Sequence, residues 1–162
     1  MLRLSKKADY ALIAMKHLAL QGDRGSSSAR EIAEQYDIPI ELMAKVLQRL
    51  VRRALLASHQ GTRGGYQLAR APQQISVADV IQAIEGPVTV TACSTEEGTC
   101  DQFAKCNVRD PLWRVRERIL SALGECTIAE LAADVPPPGA TSTTSTTPAT
   151  LTTKAAVLHT HL

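Results

Sequence analysis

Cys93, Cys100 and Cys106 lie close together in a polar, glycine-containing stretch with neither helical nor strand periodicity. A loop of this composition can bend its thiolates onto one point, and three thiolates so placed cost free energy unless something binds them. Soft sulfur ligands select zinc, copper(I) or an iron–sulfur cluster. The intervals are six residues and then five, and no C-x-x-C pair occurs anywhere in the chain. Structural zinc sites usually bring ligands in as close pairs, because a tight knuckle offers two sulfurs to one small tetrahedral ion. Wider, more even spacing suits a larger cluster, whose iron atoms stand apart. The plain alternative is three ordinary thiols in a reducing cytosol, although exposed free cysteine is a liability.

The elements around this loop read as helices. Ala8, Ala11, Leu12, Met15, Leu18 and Ala19 recur at intervals of three and four, predicting a first helix of about four turns that Gly22 ends. Ser28 with Glu31 three residues on forms a capping-box pattern, opening a short second helix through Tyr36. Asp37-Ile38-Pro39 makes a turn. A third helix follows over about residues 40–53, with Met43, Val46, Leu47, Leu50 and Val51 on its buried face. Short helix, tight turn and second helix describe a helix-turn-helix. Two short strand patterns, 55–59 and 66–69, then flank a glycine-rich tip, Gln60-Gly61-Thr62-Arg63-Gly64-Gly65, and read as a hairpin. The fold class predicted is mainly α with a small β-hairpin wing: a winged helix-turn-helix. Ser76 caps a fourth helix ended by Gly86-Pro87, Pro111 opens a long helix to Leu123, and Thr127 caps a last short one through Ala133.

Residues 1–134 are expected to form one domain, and 135–162 a disordered tail rich in Pro, Thr and Ser. No apolar run approaches membrane-spanning length, and the N-terminus lacks the apolar core of a signal peptide, which predicts a cytoplasmic protein without a membrane partner. The whole chain carries a net charge of +2. Its distribution says more, because residues 1–70 hold twelve Lys/Arg against six Asp/Glu, and residues 71–162 hold six against ten. A basic front half suits a surface that meets nucleic acid.

The third helix places Glu41, Lys45, Gln48 and Arg52 on one polar stripe, with Arg49 and Arg53 beside its last turns. Such stripes are commonly just solvated. Here the stripe belongs to the second helix of a helix-turn-helix, the element that enters a major groove. Gln and Lys can read base edges, while arginines suit phosphate or guanine. Arg63 at the wing tip is placed for a narrow minor groove, against the alternative of a mobile surface arginine. Ser5, Lys6 and Lys7 at the start of the first helix would add phosphate contacts. The long helix has apolar residues on two sides, Leu112, Val115, Ile119, Ala122 and Leu123 on one and Trp113 and Leu120 on another. One stripe can cover the core and the other needs a partner, which points to a twofold homodimer on a double-stranded, roughly palindromic operator.

Several segments together resemble the Rrf family of bacterial winged-helix transcriptional regulators, in its group of iron–sulfur cluster, Suf-operon and nitric-oxide regulators. They are Leu4 to Leu12, the wing Gly61 to Leu68, Ile81-Gln82-Ala83-Ile84-Glu85-Gly86-Pro87, the three cysteines, and Leu112-Trp113-Arg114. The resemblance covers about residues 1–134. It implies a dimeric repressor whose affinity for DNA depends on an iron–sulfur cluster held by Cys93, Cys100 and Cys106, with [2Fe–2S] favoured over [4Fe–4S]. Ser28 and Tyr66 complete the expected DNA-binding set.

The chain departs from that pattern in two places. Cluster-assembly regulators carry a histidine ligand three residues after the last cysteine, where this chain has Arg109, which has no lone pair to offer. Asp9 matches an N-terminal aspartate that some members contribute from the partner subunit, and is otherwise a surface carboxylate. Cys126 and His17 are weaker candidates for the fourth ligand. An acidic residue that tunes operator choice is replaced by Ala44, so operator class does not carry over. Two functions stay open. One is a transcription factor that senses cluster status, redox stress or nitric oxide. The other is a regulator with structural zinc or no metal that controls cysteine or other metabolism through another ligand. An enzyme is not expected, since the chain has neither a nucleophile–base arrangement nor a phosphate-binding glycine loop.

Overall fold

The computed structural model describes residues 4–22, 25–61, 64–89 and 100–133. The expected boundary at residue 134 and the tail after it lie outside these, as do Arg63 and Cys93. Helix α1, Lys6–Gln21, begins where the Ser5 side chain accepts the Ala8 N–H at 3.3 Å and stops at Gly22. Its buried face carries Ala8, Ala11, Ala14, Met15 and Leu18, three of them the smallest side chain that still favours a helix. That face is the centre of the core, and α3, α4, α6 and the second wing strand all pack against α1.

Helices α2, Ala29–Gln35, and α3, Ile40–Arg52, form the helix-turn-helix. The expected capping box is present: Ser28 Oγ accepts the Glu31 N–H at 3.2 Å, and Glu31 Oε2 accepts the Ser28 N–H at 2.6 Å. Both helices end in the same way. After α2, Asp37 takes a left-handed conformation (φ 52°) and the Ile38 N–H returns to the Ala33 carbonyl at 2.9 Å. After α3, Ala54 is left-handed (φ 54°) and the Leu55 N–H returns to the Leu50 carbonyl at 3.0 Å. Each is a Schellman closure, sealed by burial of the residue just past the turn, Ile38 or Leu55. On α3, Met43, Val46, Leu47 and Leu50 are buried as expected, while Val51 is only half-buried.

Strands β1, Leu56–His59, and β2, Gly65–Leu68, pair antiparallel with Leu56 opposite Leu68 and His59 opposite Gly65. Ser27 adds a third partner. Its N–H donates to the Tyr66 carbonyl at 3.1 Å and its carbonyl accepts the Tyr66 N–H at 2.8 Å, so the wing is pinned to the start of the helix-turn-helix. The close approach requires glycine at 65, where a Cβ would stand 2.7 Å from the Ser27 oxygen.

Helix α4, Val77–Glu85, is capped by Ser76 and Asp79, and α6, Ile128–Ala132, by Thr127 and Glu130. The two caps also pair with each other, the Val77 N–H on the Cys126 carbonyl at 2.8 Å and the Ile128 N–H on the Ile75 carbonyl at 2.9 Å. Between them runs α5, Arg109–Glu125. It starts two residues before the expected Pro111, because a proline in the first turn forfeits an N–H that has no intrahelical acceptor anyway. Neither of its apolar stripes is buried by this chain. Leu112, Ile119, Leu120 and Leu123 are half-buried against the domain, and Trp113 and Val115 are each 44% exposed.

The left-handed Ala54 carries a Cβ where glycine has none, at a cost that its Schellman contacts must offset. Replacing Ala54 by Gly should raise stability by about 0.5–1 kcal/mol. A urea midpoint that rises with an unchanged slope is the expected outcome, and a fall would show that the turn is not strained.

Candidate nucleic-acid interface and cysteine segment

The polar stripe of α3 stands clear of the core: Glu41, Lys45, Gln48 and Arg52 are all exposed. Lys7, on the first turn of α1, shares a groove of about 200 Å³ with Lys45, Arg49 and Arg52, floored by Leu42, Val46 and Ile84. Four cations around an apolar floor concentrate positive potential along one edge of the recognition helix. Arg49 is also tied down, because its Nε donates to the Ala83 carbonyl of α4 at 3.0 Å. Sequence reasoning gave Arg49 to DNA alone, and its second role across helices has no local signal. Ser5 and Ser28 likewise serve as caps, and the Ser5 N–H donates to Glu85 Oε1 at 2.6 Å. Tyr66 is half-buried against the core, with its backbone committed to Ser27. Arg53 lies off the groove, on a separate cleft.

Cys100 and Cys106 bracket a single 3₁₀ turn, Phe103–Lys105, that leads into α5. Both thiols are free and half-exposed. The third expected ligand, Cys93, lies outside the described residues, and among those described no three metal-binding side chains converge. Asp9 is exposed on the first turn of α1. Arg109 is occupied, with Nε 2.8 Å from Asp110 Oδ1 and the guanidinium stacked 4.7 Å from the Phe103 ring centre. That pairing holds the Asp110 carboxyl below the usual carboxylate range. Cys126 sits apart at the end of α5, its thiol pushed up chiefly by partial burial, and further by the Glu130 carboxylate.

His17 has both ring nitrogens engaged within the protein. It is buried inside a polar network that joins α1 to the helix-turn-helix, with Nδ1 3.3 Å from Tyr36 Oη and Nε2 3.0 Å from Gln21 Nε2 and 3.1 Å from Ser27 Oγ. The Ser27 hydroxyl in turn donates to Gln21 Oε1 at 2.8 Å. The network is consistent when Nδ1 carries the proton and Nε2 accepts from the Gln21 amide.

Comparison with known proteins places this architecture. The Rrf2 family, described as an iron-dependent transcriptional regulator, matches residues 4–134. The chain belongs to the Rrf2 family. It is 36% identical over 131 residues to the transcriptional regulator IscR of Xenorhabdus nematophila, covering 80% of this chain and 79% of that one. It is 34% identical over 131 residues to the HTH-type transcriptional regulator slr0846 of Synechocystis, covering 80% and 87%. Among solved structures it resembles CymR, the global cysteine regulator of B. subtilis, with a TM-score of 0.69, 28% identity and coverage of 84% and 100%. It also resembles T. potens IscR, with a TM-score of 0.65, 28% identity and coverage of 82% and 88%. This Rrf2 chain is a DNA-binding transcriptional regulator with the winged-helix fold. Among the described residues no helix is long and apolar enough to cross a membrane.

Burial holds the His17 pKa below its ordinary value, and the Glu31 carboxylate opposes this only in part. A lowered histidine pKa means that the unfolded chain takes up the proton first. Stability is therefore full above about pH 6.5 and falls as the pH drops below it. His17→Gln should flatten that fall in thermal melts between pH 7.5 and 5.5. A wild-type melting temperature that does not fall over that range would remove the imidazole from the account.

Proposed function

We propose that this regulator is a homodimeric repressor whose affinity for a double-stranded operator is set by an iron–sulfur cluster on Cys93, Cys100 and Cys106. A [2Fe–2S] cluster is favoured, with Asp9 of the partner subunit as the fourth ligand. The observation that carries the proposal is the pair of free, half-exposed thiols on either side of one 3₁₀ turn, at the entrance to α5. Soft thiolate donors in one polar segment fit iron–sulfur ligation, and iron–sulfur centres favour all-sulfur sets with an occasional replaced ligand. The cluster supplies electron and nitric-oxide chemistry, while the chain supplies position. The exposed Trp113, on the stripe it shares with the half-buried Leu120, gives α5 an apolar side for the second subunit. A cytoplasmic location keeps the thiols reduced.

In this reading Lys45 and Gln48 face base edges, Lys7 and Arg52 anchor phosphates, and Glu41, Arg49, Ser5, Ser28 and Tyr66 shape or flank the interface. Arg63 on the wing enters the adjacent minor groove. The likeness to CymR supports a second reading, in which zinc or no metal fills the loop and the protein governs cysteine metabolism through another ligand.

Anaerobically purified protein should be brown, with iron and sulfide in matching amounts. Single replacement of Cys93, Cys100 or Cys106 by Ala should abolish the colour, and Cys126→Ala should keep it. Colourless protein containing zinc would decide for the second reading. Paired titrations should find holo and apo forms differing about tenfold or more on one operator, a coupling of about 1–3 kcal/mol. Identical isotherms would leave the cluster without a regulatory role.

The DNA face has its own test. Lys7→Ala should weaken operator and scrambled DNA alike and lower the salt slope by about one unit. Gln48→Ala should instead narrow the gap between the two DNAs. Equal behaviour of the two variants would sink the assignment.

A further inference from the structure

A second cleft of about 390 Å³ opens between the C-terminal end of α3, the base of the wing and α4. No residue lines both this cleft and the DNA-facing groove. Its size falls within the range of about 300–1,000 Å³ typical of small-molecule sites. Arg53, the C-cap of α3, and Arg70, just past β2, both border it. Neither guanidinium has a hydrogen-bond or ion-pair partner among the described residues. Gln82 of α4 adds an amide, and Leu55 and Ala83, both buried, supply an apolar floor. Asp79 also lines the cleft, but its Oδ2 accepts the Ser76 N–H at 3.0 Å as part of the α4 cap. It confines negative charge on a ligand to the arginine side.

We infer that this cleft binds a small organic dianion, carrying phosphate or carboxylate groups, between Arg53 and Arg70. Two like charges bordering one cavity repel each other, and an anion between them reverses that sign. Guanidinium forks match carboxylate and phosphate oxygens bidentately, and Gln82 can donate to a third oxygen. The apolar floor suits a short carbon skeleton better than a bare inorganic ion. The strained Ala54 stands directly between Arg53 and Leu55, so a residue at a backbone cost sets the direction of two lining side chains.

The same cleft is wired to the DNA-facing groove. Its floor residue Ala83 accepts the Arg49 Nε–H at 3.0 Å, and Arg49 lines that groove. A seated dianion cancels positive charge next to the recognition helix and loads the α3–α4 contact, so it weakens DNA binding. The effect on DNA rests on the function proposed above; binding of the anion does not.

Isothermal titration of the full chain with glycerol 3-phosphate and with malonate, at constant ionic strength set by NaCl, separates the two claims. Saturable binding of either probe at one site per chain is expected. Glycerol 3-phosphate alone would assign the site to phosphorylated metabolites, and malonate alone to dicarboxylates. Arg70→Ala, checked for folding by circular dichroism, should weaken binding at least tenfold, and amide shifts from the bound probe should centre on Arg53, Leu55, Arg70 and Gln82. Heats that do not saturate, or equal binding by the Arg70→Ala variant, would overturn the site. Should Arg70→Ala fail to fold, Gln82→Leu and the shift map decide. The bound probe should also weaken operator binding several-fold in the wild type and not in Arg70→Ala; unchanged operator binding would overturn the coupling. If Arg70→Ala instead lost affinity for all DNA without any probe present, the cleft would be a DNA-phosphate contact and the inference wrong.

Discussion

Every other element is located by how closely it can approach one face of α1. Ala8, Ala11 and Ala14 are fully buried there, and a methyl group is all that separates the α1 backbone from its neighbours. Alanine loses no side-chain entropy on burial and leaves room for Met15 and Leu18 to fill the remaining volume. Larger side chains at these positions would push α3 and α4 outward and overpack a core that fills its space. The functional consequence is direct. Lys7 and Lys45 border a common groove only because the first turn of α1 lies against α3. The basic face is thus a product of packing as much as of charge.

A second constraint closes the C-terminal part back onto this core. Residues beside the caps of α4 and α6 exchange backbone hydrogen bonds, so the start of α6 is held at the point where α4 begins. The chain between the two caps contains α4, the cysteine segment and α5, and both of its ends are fixed. Within it, Arg116 of α5 donates from Nε to the Val88 carbonyl at 2.9 Å, just past α4, and its guanidinium lies 5.3 Å from the Trp113 ring centre. Long side chains that bury their stems and spend their charge on carbonyls join helices that share little apolar surface. Arg49 does this on α4 itself, and Arg116 on the chain just past it.

Whatever could be settled within a few residues was legible in the sequence. Helix periodicity, three serine or threonine caps, the Gly22 and Gly86 stops and the wing all follow from local chemistry, and the family resemblance rests on the same segments. The start of α5 was misplaced by two residues because proline marks the first turn without saying which position in that turn it takes. Contacts between distant segments left no local trace. The Ser27–Tyr66 bridge, the His17 network and the Arg49–Ala83 bond each join residues ten to forty positions apart. A polar side chain reads as a DNA contact or as a strut with equal ease until its partner is known. The stripe on α3 was legible as exposed, whereas the second duty of Arg49 was not. Cys100 and Cys106 were legible as members of one three-cysteine cluster with Cys93, and the 3₁₀ turn that separates them was not.

These links explain how an event at the cysteine segment can reach DNA without touching it. Coupling between sites needs a contiguous set of elements with more than one stable arrangement, biased at both ends. Here the set is short. The cysteine segment joins α4 to α5; Arg116 bonds α5 to the exit of α4; Ala83 of α4 bonds Arg49; and Arg49 lines the groove beside Lys45 and Arg52. On the proposed reading, cluster ligation fixes the segment and therefore the seat of α5 on α4, which carries the second subunit. A change in that seat alters the spacing of two recognition helices, and it loads the Arg49 bond within each one. A spacing error is the costlier of the two, because both half-sites must be met at once and a mismatch of a few ångströms forfeits base contacts across a whole half-site. On that proposed reading, regulation acts mainly through the geometry of the dimer, with the local charge around α3 tuning a response that α4 transmits.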